Sequence, residues 1–196
     1  MTEPKYVTPK KRQEAVDAYA LAVGRLSIAW NYLHSSALGD LFALVIGGDV
    51  ELVKKWRSVA NDRALREMLR AAIKAASPEL WKQTPTAPAD LEWVLGRADD
   101  LSISRNDAMH APVMLYIGAE IVEVNVALHT IGSKRERRLL DNLLEGRKLL
   151  DDFAKCEQDV DALSVFVLRA TAALAKPDRQ EWPTPPPKQI WLAPVS

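Results

Sequence analysis

Apolar positions along the chain recur mostly at intervals of three and four, which places them on one face of a helix. Ala15, Tyr19, Ala22, Leu26, Ala29 and Leu33 mark a long first helix that Thr8 can cap and Pro9 can open. The pattern continues, bent near Gly39, through Leu41 and Leu44 to a stop at Gly47-Gly48. Asp49 can cap a second helix carrying Leu52, Val53 and Trp56. Asn61 or Asp62 can cap a third, with Leu65, Met68, Leu69, Ala72 and Ile73 inward. Residues 77–88 hold Pro78, Pro85 and Pro88 and read as a loop. Leu91, Val94, Ala98 and Leu101 then trace the buried stripe of a further helix.

After Pro112 the period shortens. Val122, Val124 and Val126 alternate with Glu123 and Asn125, and residues 113–117 are rich in β-branched and aromatic side chains, so a small β-hairpin is expected at about 113–129. Residues 114–117 also suit a buried extended segment. Ser133 can cap a last helix whose apolar positions run from Leu139 through Phe153, Cys156, Val160 and Leu163 to Leu174, before Pro177 ends it. The expected fold is mainly α, an antiparallel helical bundle with a small β-hairpin after the fourth helical stretch. Residues 1–176 form the domain. Residues 177–196 form a Pro/Trp-rich tail whose aromatics either pack back on the body or serve a partner.

Composition narrows the function classes. Lys plus Arg and Asp plus Glu each total 26, so no global field draws the chain to nucleic acid or anionic lipid, and any such binding must be local. The single cysteine, Cys156, excludes an internal disulfide and a cysteine-rich zinc site, and its place on an apolar seam assigns it to packing. The three histidines are not spaced as metal ligands, and no phosphate-cradling glycine loop or hydrolase elbow is present, so no cofactor is expected. No apolar run reaches membrane-spanning length and no signal peptide opens the chain, which points to a cytoplasmic protein.

The stretch richest in chemistry is residues 101–112. The next position on the stripe after Leu101 is Arg105, a permanent cation where an apolar residue belongs. Burying a guanidinium without a partner is costly, so Arg105 requires an anion, a carboxylate or a wet cavity before it. Asn106 and Asp107 follow, then His110. Pro112 disfavours the helical conformation at Ala111, so the helix should end near His110. In an unbroken helix residues five apart diverge by about 140°. Fraying would free His110 to turn toward Arg105 or toward a second subunit.

An Arg, a polar residue directly after it and a His, with four residues between Arg105 and His110, resembles the motif of the HEPN superfamily of small all-helical domains. The resemblance covers this motif and, more loosely, the helical layout. It implies a metal-independent endoribonuclease, with a toxin or defence role held in check by an inhibitory protein partner. It further implies a homodimer in which the paired motifs face each other. Arg105 would then grip phosphate oxygens, His110 would transfer protons, and Asn106 would orient the scissile phosphate.

Other readings stand beside this one. Arg105 can pair with Asp99, Asp100 or Asp107 as a structural brace while His110 caps the helix, giving a non-catalytic dimeric module that binds RNA, a nucleotide or a protein. A third class is an adaptor using the tail. Two basic features can track an RNA backbone: Arg63, Arg66, Arg70 and Lys74 along one helical face, and the run containing Lys134 and Arg135. Acids such as Glu67 make each of them equally a solvated face. His34 reads as a core or surface histidine, and His129 reaches the site only if the hairpin folds over it.

Overall fold

The computed structural model describes residues 8–110, 113–117, 122–126, 134, 137, 138, 141, 148–178 and 180–186. Helix α1 spans Pro9–Tyr32, and Thr8 caps it as expected, its Oγ1 accepting from Lys11 N at 3.3 Å. The chain stays helical beyond Tyr32 but widens into a π-turn at Leu33–Ala37 before α2, Leu38–Val45. The irregularity thus precedes Gly39 rather than falling on it. Gly39 serves packing instead: a Cβ there would sit 3.2 Å from Trp56 Nε1. Gly47 and Gly48 terminate α2 with φ of +66° and +76°, a conformation glycine adopts without a Cβ penalty. Gly48 N closes the end on Ala43 O at 2.8 Å.

Helix α3, Val50–Ser58, starts at Asp49, whose carboxylate accepts from Glu51 N and Leu52 N at 2.9 and 3.0 Å. Helix α4, Asp62–Ala75, is capped by Asn61, which accepts from Arg63 N and Ala64 N. Asp62 is thereby left to accept from Trp30 Nε1 at 2.7 Å. The proline-rich stretch holds one 3₁₀ turn, Pro78–Trp81, before α5, Ala87–His110. Strands β1, Val113–Ile117, and β2, Val122–Val126, pair antiparallel with Val113 opposite Val126 and Ile117 opposite Val122. Residues 118–121 between them and 127–129 after them lie outside the described residues, as do Pro112, Ser133, Leu139 and Leu143. Helix α6 spans Leu149–Ala175, about 40 Å at 1.5 Å per residue.

The contacts divide the chain into two compact units. The first takes α1 up to Ser27 and Ser102–Glu157. In it Leu26, Phe153 and Cys156 are buried, Tyr19 meets Phe153 with ring centroids 6.1 Å apart, and Arg25 pairs with Glu157 at 3.3 Å. The second takes Ile28–Leu101 and Gln158–Ile190. Trp30, Leu33, Leu38, Leu41, Leu69, Leu91, Leu95, Val160 and Leu163 form its core, all removed from solvent. Most of these are positions the three-and-four periodicity marked as inward. The described residues are mainly helical, as the periodicity predicts, and no described helix is long and apolar enough to cross a membrane.

Part of the tail folds back within the second unit. Trp182 Nε1 donates to Asp90 Oδ2 at 2.9 Å, and its indole meets Phe166 edge-on at 6.1 Å. This partnership satisfies the polar end of the indole while covering its apolar body. Ile190, Trp191, Leu192 and Pro194 lie outside the described residues.

Candidate functional site

Helix α5 carries the motif. Its stripe is as expected, with Leu91, Val94, Ala98 and Leu101 all buried. One turn on, Arg105 is half-buried, and its Nη1 donates to Asn106 Oδ1 at 3.0 Å. Its immediate neighbour thus holds the guanidinium from one side, and among the described residues the Asn106 amide nitrogen is left available as a donor. Asp107 is buried and is held by Arg138, whose Nη2 lies 2.9 Å from Oδ1 and 3.1 Å from Oδ2, with Nε 3.3 Å from Oδ2. A forked guanidinium matched to a carboxylate in this way restricts both partners. Ser27 Oγ meets Met109 Sδ at 3.0 Å, tying the last turn of α5 to α1.

His110 is the last residue of α5 and is exposed. The helix ends where the following proline requires, but it does not fray before His110. Arg105 and His110 therefore stay on a regular helix and diverge by about 140°. Within one chain the two side chains address different directions.

The basic residues proposed from the sequence are not one surface. Arg63 is exposed and pairs with Glu67 at 2.9 Å. Lys74 is exposed, and so is Lys134, while Arg135 lies outside the described residues. Arg66 is different, at 2% exposed. Its Nε donates to Asp99 Oδ1 at 2.6 Å, its Nη1 donates to His34 Nε2 at 2.8 Å, and its guanidinium carbon lies 5.8 Å from the centre of the Trp30 ring. A guanidinium so placed offers nothing to a polyanion, so Arg66 leaves the list of RNA-tracking residues. Arg70 is committed as well, donating to Glu92 at 2.8 Å and to Asp99 Oδ2 at 2.6 Å.

This second cluster determines the state of His34. Arginine has no lone pair to offer, so His34 Nε2 must be the acceptor and the ring is neutral. Nδ1 then carries the proton and donates to Trp30 O at 3.1 Å. Burial pushes the Asp99 carboxyl up, but hydrogen bonds from Arg70 and Arg66, together with their charge, outweigh it and hold Asp99 below its ordinary value. Burial lowers Arg70, and the hydrogen bonds it donates to Glu92 and Asp99, with their negative charge, reverse this and raise it. Arg97 and Asp159 pair at 2.8 Å with the opposite result for the acid: burial dominates the single arginine, and the Asp159 carboxyl is raised. Two cations against one in deeper burial account for the contrast.

Sequence reasoning missed this cluster, although a signal was present. Arg66 stands three positions before Leu69 and seven before Ile73, on the inward side of α4, just as Arg105 stands on the inward side of α5. Among the described residues no group of three His, Cys, Asp or Glu is arranged to hold a metal ion. Comparison with known protein families, curated proteins and solved structures finds no match for this chain, so its functional reading rests on its own residues.

Proposed function

We propose that the protein is a metal-independent endoribonuclease of HEPN type, acting as a homodimer through Arg105, Asn106 and His110. The observation that carries this reading is the end of α5. Arg105 is oriented by Asn106 at 3.0 Å, and His110 is presented to solvent at the helix terminus. The divergence of the two side chains on one helix is the reason for two copies: a second subunit supplies the histidine that the first directs away.

RNA carries its own nucleophile. One His110 takes the proton of a 2′-hydroxyl, whose oxygen attacks the adjacent phosphorus. The bond to the 5′-oxygen breaks, and the second His110 supplies the proton that this oxygen accepts. The arginines neutralise the non-bridging oxygens as charge grows on them, and the Asn106 amide nitrogen orients the phosphate. The products are a 2′,3′-cyclic phosphate and a 5′-hydroxyl. DNA, lacking the 2′-hydroxyl, is inert.

A non-catalytic dimeric module is the second reading. The observation favouring it is that Arg66 and Arg70 are spent on internal partners, which leaves fewer cations to follow a phosphate backbone. A toxin or defence role under an inhibitory partner follows only from the first.

Cleavage of labelled single-stranded RNA in EDTA by wild type, Arg105→Ala and His110→Ala separates the two readings. Folding and oligomeric state of each variant are verified by circular dichroism and light scattering. Cyclic phosphate ends from wild type, lost in both variants, are the expected result. No cleavage by folded dimeric wild type across several RNAs overturns the enzyme in favour of the module.

A further inference from the structure

Beyond the motif, the second unit contains a groove of about 520 Å³ formed by α2, α3 and α4. Its origin is visible in α4. Leu65, Leu69 and Ile73 fill the core, while the neighbouring stripe carries Met68, then alanine at 72 and 75 where a larger side chain would close the surface. One wall is Phe42, stacked on Trp56 with centroids 4.6 Å apart. The other is Leu52, which remains exposed.

Two polar groups interrupt this lining. Lys55 is the one ionisable residue in it, and among the described residues its ammonium has no hydrogen bond or ion pair. The adjacent Lys54, by contrast, is paired with Glu51 at 2.8 Å. Ser77 is the other, its oxygen accepting from Glu79 N at 3.3 Å while its hydroxyl proton is left to donate. An apolar space with one uncompensated cation and a hydroxyl donor is complementary to a ligand with an aliphatic body and one anionic end.

We propose that this groove binds a medium-chain aliphatic carboxylate, with the chain against Phe42, Leu52 and Met68 and the carboxylate at Lys55 and Ser77. A water occupies about 30 Å³ of liquid, and a methylene is of similar bulk, so the space suits a chain on the order of ten to fifteen carbons. The inference is independent of the ribonuclease reading, since no motif residue lines the groove.

Calorimetric titration of the full chain with octanoate, decanoate and dodecanoate below their micellar concentrations tests it. Saturable binding is expected, tightening about fourfold with each added methylene, the effect of burying one such group. Lys55→Met, at an exposed position, weakens the carboxylates about tenfold and leaves 1-decanol unchanged. Ala72→Leu fills the groove and removes binding of both, with circular dichroism unchanged. Absence of saturable binding, affinity independent of chain length, or carboxylate affinity unaltered in Lys55→Met would each overturn the proposal. So would an Ala72→Glu variant that binds decanoate normally but has lost a dimer the wild type forms, because the groove would then be the seat of a second copy.

Discussion

Arg66 and Arg105 each stand where the helical period calls for an apolar side chain, yet their surroundings differ in kind. Arg66 is enclosed by an acid, a neutral imidazole and an indole face, each from a segment distant in sequence. Arg105 is half-buried near the end of α5 and held by the residue next to it, while the carboxylate two positions on is gripped by Arg138. A cation on an apolar stripe is thus an ambiguous sign. Where tertiary neighbours bring acceptors to it, the charge organises a core. Where the helix runs out to the surface, it retains access to solvent and to ligands.

Substitutions that separate folding from chemistry can break this comparison. The largest effect belongs to the motif: Arg105→Ala or His110→Ala should lower RNA cleavage per folded molecule by about 10²–10⁴-fold. Arg66→Met should leave the cleavage rate of the folded fraction unchanged. Should Arg66→Met reduce that rate as much as Arg105→Ala, the division between a bracing and a reacting arginine fails.

Stability should show the reverse order. Arg66→Met removes a buried guanidinium from Asp99 and His34 and should cost about 2–4 kcal/mol in urea denaturation. Arg105→Met should cost about 1 kcal/mol or less, because its site is less completely buried than that of Arg66. Asn106→Ala should lower cleavage about tenfold with little change in urea midpoint, since its amide orients Arg105 rather than filling a core.

The smallest effect concerns acid. Asp99 has a folded pKa below its unfolded value, so the stability it contributes is complete above about pH 4 and is lost as pH falls further through the folded value. Asp99→Asn should flatten the decline of the melting temperature below about pH 4. A decline as steep as that of wild type would show that the charge on Asp99 does not hold Arg66 and Arg70 in place.

Much of this was legible from the chain alone. Caps at Thr8, Asp49 and Asn61, the glycine stop at 47–48, the buried stripe of α5 and its end at His110 all follow from backbone rules that act over a few residues. The pairing of charges was not. Asp99, Asp100 and Asp107 were all candidates for Arg105, but Asp99 lies with Arg66 and Arg70, Asp100 stands 3.7 Å from Arg97, and Asp107 is gripped by Arg138. Apart from the i,i+3 pair of Arg97 with Asp100, these partners lie 29 to 33 positions apart, and no local period encodes which of them meet.

Periodicity, capping and turn chemistry determined by themselves where the helices begin and end and which faces they bury, because those preferences belong to single residues and their near neighbours. Only the tertiary structure decided which inward arginine would be consumed. It also decided that His34 is neutral, that the alanines of α4 leave an open groove and that Gly39 makes room for Trp56. Each of these depends on what another segment places within a few ångströms, where the cost of an unsatisfied charge or an unfilled space is settled.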